Sequence, residues 1–319
     1  MFLASAKLLH IPDGFLVTAI SALTWLLSAI AVYIAVRRSQ EQFDERLIPF
    51  AGIMAAFIFA GQMINFPVAG GTSGHLVGAA LAAIVLGPWL GILVMTAVIS
   101  LQALLFQDGG LVVMGANILV MGVVPALIGF GLYRAVAGRG RRLSLGVAAV
   151  SAWLSIMAAA LVTALLLGFS GTLSFRLVVP AMLGVHALIG VGEALITVAA
   201  LGYISRARPA LLGESAQSGG RGWTVGAVLA TLFVILISPL ASSFPDGLEW
   251  VAEEYGFLSQ AREARFDLMP DYTIPALGEG SLSTIAAALL GALIAGLLVM
   301  AFTRLLRRSR TATRSQGTG

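Results

Sequence analysis

The chain has 319 residues, of which 59% are hydrophobic and only 11% charged, with a mean hydropathy of +0.97; this composition belongs to integral membrane proteins and not to soluble enzymes or nucleic-acid binders. It contains no cysteine, which excludes disulfides, thiolate metal sites and cysteine nucleophiles and leaves any metal to nitrogen and oxygen ligands. The single lysine, Lys7, excludes a GxxxxGK[ST] phosphate loop, so ATP consumed in transport would be hydrolysed by another subunit.

From the N-terminus, "MFLASAKLLHIPDG" has no uninterrupted apolar core before Pro12 and Asp13 and does not read as a cleaved signal peptide. Pro12-Asp13-Gly14 is a turn signal, and Asp13 is placed to cap the helix that follows. The first apolar run, 15–36, exceeds the roughly 20 residues needed to cross a bilayer. Further spans are predicted at 47–65, 75–87, 90–106, 113–133, 146–168, 180–203, 223–243 and 282–303. The expected fold is therefore an all-α integral membrane protein of about nine transmembrane helices, in which only Gly87-Pro88-Trp89 separates the third span from the fourth.

Charge supports that break. With the N-terminus outside and the C-terminus cytoplasmic, the loops at 37–46, 134–145 and 204–222 and the tail hold fifteen of the nineteen Lys and Arg residues on the cytoplasmic side, as the positive-inside rule requires. Only Lys7, Arg176, Arg262 and Arg265 lie outside. Merging 75–106 into one span would divide the basic loops between the two faces. The polar, Gly/Ser-rich stretch 205–222 reads as a cytoplasmic linker. It separates a seven-span region, 1–204, from a two-span region, 223–319, whose outside segment 244–280 carries eight acidic residues against two arginines. Such a segment raises the local cation concentration, although topology bias alone also accounts for its acids.

Few residues offer chemistry. His10 precedes the first span and His75 opens the third, at a similar depth on the outer side, and neutral imidazole is a ligand for Zn²⁺, Ni²⁺, Co²⁺ and Cu²⁺. A structural histidine is the competing reading for each. His186 and Glu193 share the seventh span on nearly one helical face, about 10 Å apart along the axis. An intramembrane carboxylate is a functional candidate by default, or a group satisfied within the bundle. Asn65, Gln102 and Asn117, together with Gln62 and Asp108, either orient ligands or bind helices together.

Three stretches carry a family resemblance: "HIPDGFL" (10–16), residues 66–124 with their GGTSGH, GPW, LLFQDGG and GAN elements in order, and "HALIGVGEALIT" (186–197). Together they resemble the cobalt/nickel substrate-capture subunit, the M component, of energy-coupling factor transporters. "FPDGLEWVAEEYGFL" with "PDYTIP" (244–258, 270–275) is similar to the two-span N component with a PDGLE domain, so the chain reads as an M–N fusion.

The resemblance implies a Co²⁺ or Ni²⁺ ion carried as substrate, with no permanently bound cofactor. It implies a membrane scaffold (T) subunit and two cytoplasmic ATPases as partners, in a bacterial inner membrane. It also implies a roughly square-planar site of four nitrogens: the N-terminal amine, the amide and ring of an adjoining histidine, and the histidine of GGTSGH. Here the histidines are His10 and His75. The family pattern begins Met-His, whereas eight residues precede Leu9-His10; the expectation is a start at position 9, from a leucine-type codon, or trimming before Leu9 or His10. Leu9 then joins the site only as the true N-terminal residue. Two other classes compete. An ion-coupled secondary transporter would use Glu193 and His186 as a relay, and an intramembrane hydrolase would need Ser73 or Ser100 beside a base, which no motif supplies.

Overall fold

A computed structural model describes residues 9–41, 47–136, 139–207, 222–262, 268–278 and 280–316. The stretch "MFLASAKL" and most of the expected linker 205–222 lie outside the described residues. In chain order the helices are α1 (Thr18–Glu41), α2 (Leu47–Gln62), α3 (Ala79–Leu86), α4 (Pro88–Phe106), α5 (Met114–Arg134), α6 (Arg141–Phe169), α7 (Phe175–Ala207), α8 (Gly222–Ile237), α9 (Gly247–Glu254) and α10 (Ser281–Gln316). Among the described residues six helices, α1, α4, α5, α6, α7 and α10, are long and apolar enough to cross a membrane, while α2 and α8 are apolar but shorter.

The predicted span 75–87 needs correction. Helix is confined to the eight residues of α3, about 12 Å of rise, and His75 to Gly78 approach it as non-helical chain. All eight residues of α3 are buried, as befits a helix apolar on every side. The chain does turn back at Gly87 (φ 84°) and Pro88. A Cβ on Gly91 of α4 would fall 2.9 Å from the Cα of Ala83, so the two helices pack backbone to backbone. A second departure from an all-α fold is a small antiparallel hairpin, β1 (Phe66–Val68) and β2 (Thr72–Gly74), which Gly70 and Gly71 turn at positive φ.

The outward faces are lipid-like. On α1 the buried positions include Ser21, Thr24, Ser28 and Ala35, whereas Leu23, Leu26, Ile30 and Tyr33 are exposed. Small and polar residues thus face the bundle and large apolar ones face away, the reverse of a soluble helix. Ser28 donates to the carbonyl of Gly115 at 2.6 Å, and the Trp25 indole to that of Val112 at 2.9 Å, tying α1 to α5. Helix α10 crosses α2 at two glycines: a Cβ on Gly52 would lie 3.0 Å from the Gly296 carbonyl, and one on Gly296 3.0 Å from that of Gly52. The C-terminal two-helix part is thereby packed directly against the N-terminal bundle.

Two π-helical turns, Gln102–Phe106 in α4 and Ile118–Val123 in α5, flank the loop 107–113. Pro125 follows the second and has no N–H to offer Met121, a recognised cause of such widening. At this end of the bundle the loop meets residues 10–13 and Tyr272.

Candidate metal centre

His10 and His75 meet at that end. Their ring centroids are 5.9 Å apart with planes at 82°, and both side chains are buried, at 1% and 6% exposure. His10 Nδ1 donates to the Asp108 carbonyl at 3.1 Å, with the Asp108 carboxylate Oδ1 2.9 Å away. His75 Nδ1 donates to Asp246 Oδ1 at 3.1 Å. Since these partners only accept, each Nδ1 carries the ring proton and each Nε2 presents its lone pair. Neither Nε2 has a hydrogen-bond partner among the described residues. Two metal–nitrogen bonds of about 2 Å, plus about 1.1 Å from each nitrogen to its ring centre, allow centroids up to roughly 6.2 Å apart. The observed 5.9 Å therefore puts both rings within reach of one ion.

Each histidine has its own scaffold. Residues 10–13 run against the loop 108–113: Asn117 clamps Ile11 by accepting from its amide and donating to its carbonyl, both at 3.0 Å, and Gly110 donates to the Ile11 carbonyl at 3.0 Å. Asp13 was expected to cap the first span. Instead its Oδ1 accepts from the amides of Val112 and Val113 at 2.9 and 3.1 Å, because residues 12–17 are non-helical and α1 begins only at Thr18. It thus fastens the His10 segment to the Asp108 loop. Tyr272, stacked on Phe106 at 4.9 Å, donates its hydroxyl to Asp108 Oδ2 at 2.5 Å. Burial, reinforced by the Asp108 charge, holds that phenol well above its usual value, so it stays a donor. Gln102 is buried beside it.

His75 is held from both sides. Behind it, Glu193 of α7 accepts from the amides of Val77 and Gly78 at 2.7 and 2.8 Å, fixing the approach to α3 with a carboxylate from another helix. In front, "FPDG" of the C-terminal part lies along β2: the Ser73 amide donates to the Pro245 carbonyl at 2.8 Å and the Ser73 hydroxyl to that of Phe244 at 2.8 Å. Ser73 is thereby engaged with carbonyls and not with a base. Asp246 stands at the N-cap of α9, and Glu249 three residues on accepts from its amide at 3.4 Å, a capping-box arrangement. Burial would pull the His75 imidazole down, but the Asp246 charge and hydrogen bond, helped by Asp108, hold it above the ordinary histidine value.

The remaining expected residues stand apart from the pair. His186 Nδ1 donates to the Met182 carbonyl of its own helix at 2.8 Å, and the ring edges towards Gly247, whose added Cβ would come 3.1 Å from it. It makes no hydrogen bond with Glu193 among the described residues. Asn65 and Leu9 line a neighbouring cavity. Among the described residues no three His, Cys, Asp or Glu side chains gather as a metal cluster. Asp246, Asp108 and Tyr272 were not anticipated as partners of the histidines. Pro-Asp-Gly occurs at 12–14 and again at 245–247, and that pattern marks a turn and a cap without linking Asp246 to His75.

The model of the cobalt-uptake substrate-specific transmembrane region, CbiM, matches residues 10–211. The chain belongs to the CbiM family. A PDGLE domain matches residues 220–308, so a CbiM-type M component and a PDGLE-type N component are fused in one polypeptide. A putative fused nickel transport protein, NikMN, of Archaeoglobus fulgidus is 36% identical over 307 residues, 94% of this chain and 99% of its own length. A putative metal transport protein of Haloquadratum walsbyi is 43% identical over 206 residues, 64% of this chain and 93% of its own. A crystal structure described as a truncated transition metal transporter superposes with a TM-score of 0.57 at 32% identity, covering 62% of this chain and 98% of that one. In this CbiM region the His10 segment, the GGTSGH loop and the loop 107–113 converge, and the PDGLE domain supplies Asp246.

Proposed function

We propose that this chain is the substrate-binding membrane component of an ATP-driven energy-coupling factor importer for cobalt or nickel ions. The observation that carries the reading is the pair of buried imidazoles 5.9 Å apart, His10 held at Nδ1 by the main-chain carbonyl of Asp108 and His75 by the Asp246 carboxylate, each with an unpartnered Nε2. Carbonyl and carboxylate acceptors of this kind orient metal-binding histidines and strengthen them. Further nitrogens would come from the backbone of Leu9 and His10, with Leu9 as the mature first residue; intact-mass measurement of active protein tests this, and retention of Phe2 to Leu8 contradicts it. The region 1–204 is the capture bundle and 223–319 the N-like part, joined by a cytoplasmic linker at 205–222. With the N-terminus outside, and the chain from His75 through α3 crossing partly as non-helical backbone, the histidines face the outside of the inner membrane, where the acidic segment 244–280 attracts cations. A scaffold subunit and two cytoplasmic ATPases supply the energy.

The alternative, a secondary transporter relaying ions through Glu193 and His186, is disfavoured by their bonding, since Glu193 is committed to two backbone amides and His186 to its own helix. Uptake of Ni²⁺ or Co²⁺ by proteoliposomes separates the two: transport requiring the scaffold, the ATPases and ATP supports the proposal, and pH-driven uptake by this chain alone refutes it.

A further inference from the structure

The ion must reach two Nε2 atoms that are sealed from solvent, and one cavity offers a route. A space of about 140 Å³ lies where the CbiM region meets the PDGLE domain, lined by Leu9, Asn65, Ser238, Asp271, Tyr272 and Thr284 among others. The three other described cavities, of about 350, 290 and 490 Å³, are walled almost wholly by apolar helix residues. Its lining spans the full range of burial: Asp271 is exposed, Thr284 is half-buried, and Asn65, Ser238, Tyr272 and Leu9, which we group as its floor, are buried. Two of the floor oxygens, Asn65 Oδ1 and Ser238 Oγ, have no hydrogen-bond partner among the described residues, at 4% and 3% exposure. Buried acceptors left unsatisfied by protein are held by water or a ligand. The floor adjoins the site through Leu9, next to His10, and through Tyr272, which bonds the Asp108 that holds His10.

We infer that this cavity is an access chamber for a hydrated divalent cation, in which Asp271 attracts the ion and the oxygens of Asn65, Ser238 and Tyr272 stand in for part of its water shell before the histidine nitrogens take it. The inference rests on the metal-binding reading of His10 and His75. It makes the PDGLE domain one wall of the ion's path, because Ser238, Asp271, Tyr272 and Thr284 all belong to it.

A chamber on the path, unlike a ligand, alters association and dissociation equally and leaves affinity untouched. The chain has no native cysteine, so Thr284→Cys provides a unique thiol that is blocked with a benzyl methanethiosulfonate after purification, when folding is complete. Stopped-flow binding of Ni²⁺ to the full chain in detergent is compared between native protein treated with the same reagent and the Thr284→Cys protein after modification. In the modified protein both rate constants should fall about tenfold or more with Kd within about twofold. Ser238→Leu should shift the two rates in the same direction. Unchanged association after blocking overturns the chamber, as does a weaker Kd with association unslowed. His10→Ala and His75→Ala run alongside keep the two failures apart. If they bind Ni²⁺ as the native protein does, the metal-site reading falls; if they lose it while blocking has no effect, only the chamber falls.

Discussion

His10 and His75 are both held at Nδ1, but by different acceptors from different parts of the molecule. His10 bonds the main-chain carbonyl of Asp108 within the CbiM region, with the Asp108 carboxylate 2.9 Å away, and its backbone is locked by Asn117 and Asp13. His75 takes Asp246 from the PDGLE domain, although its own loop is already held by Glu193. Both sides therefore involve the PDGLE domain, His10 at one remove through the Tyr272 hydroxyl on Asp108 and His75 directly through Asp246. The fusion is therefore more than a tether: the PDGLE segment completes the orientation of one ligand while pairing its backbone with β2.

The sharpest test removes the ligands themselves. His10→Ala and His75→Ala should each weaken Ni²⁺ binding by about 100-fold or more in calorimetric titrations, and the two losses should be similar. Removing the orienting carboxylates comes next. Asp246→Ala should cost about 10- to 100-fold in affinity, with Asp246→Asn, which keeps an acceptor, losing less, and Asp108→Ala, which leaves the carbonyl that accepts from His10, should cost less than Asp246→Ala. A silent Asp246→Ala beside a damaging Asp108→Ala would reverse that order and reduce the PDGLE domain to a cover.

Acidity offers a further test of the His75 side. The His75 imidazole is held above the ordinary histidine value, and metal needs the deprotonated Nε2. The contribution of His75 should level off above that raised value and fall up to about tenfold per unit as pH drops through it, on top of the rise at higher pH that an amine and amide ligand would add. Because the Asp246 charge favours the protonated ring, Asp246→Asn should move the fall to lower pH; a fall that stays in place removes Asp246 from the account. The smallest effect concerns the scaffold of His10. Gly109 has φ 95°, and an added Cβ would lie 3.0 Å from that of His10 and 2.8 Å from Asn117 Nδ2. Gly109→Ala should lower stability by about 1–3 kcal/mol in thermal unfolding and weaken binding severalfold, with Gly87→Ala at an open turn disturbing only stability.

Much of this was legible in the sequence because it rests on composition and pattern. The apolar runs marked the helices, and the two histidines stood out in a chain with only three. The break at Gly87-Pro88 was visible as turn chemistry. The brevity of α3 was not, because an apolar run looks the same whether it is helical throughout or begins as extended chain. Asp13 was misassigned for a related reason: a turn signal gives no measure of the four residues between it and the helix. The pairings of His75 with Asp246 and of Glu193 with Val77 and Gly78 span 171 and about 116 positions. Such pairings are products of tertiary packing and leave no local spacing to read.

X-ray absorption of Ni²⁺ bound to the purified chain tests the central claim most directly. The account predicts outer-shell imidazole scattering equivalent to two histidines, falling to one in His10→Ala and in His75→Ala. A bound ion surrounded by oxygen, with a spectrum unchanged in both variants, would contradict it.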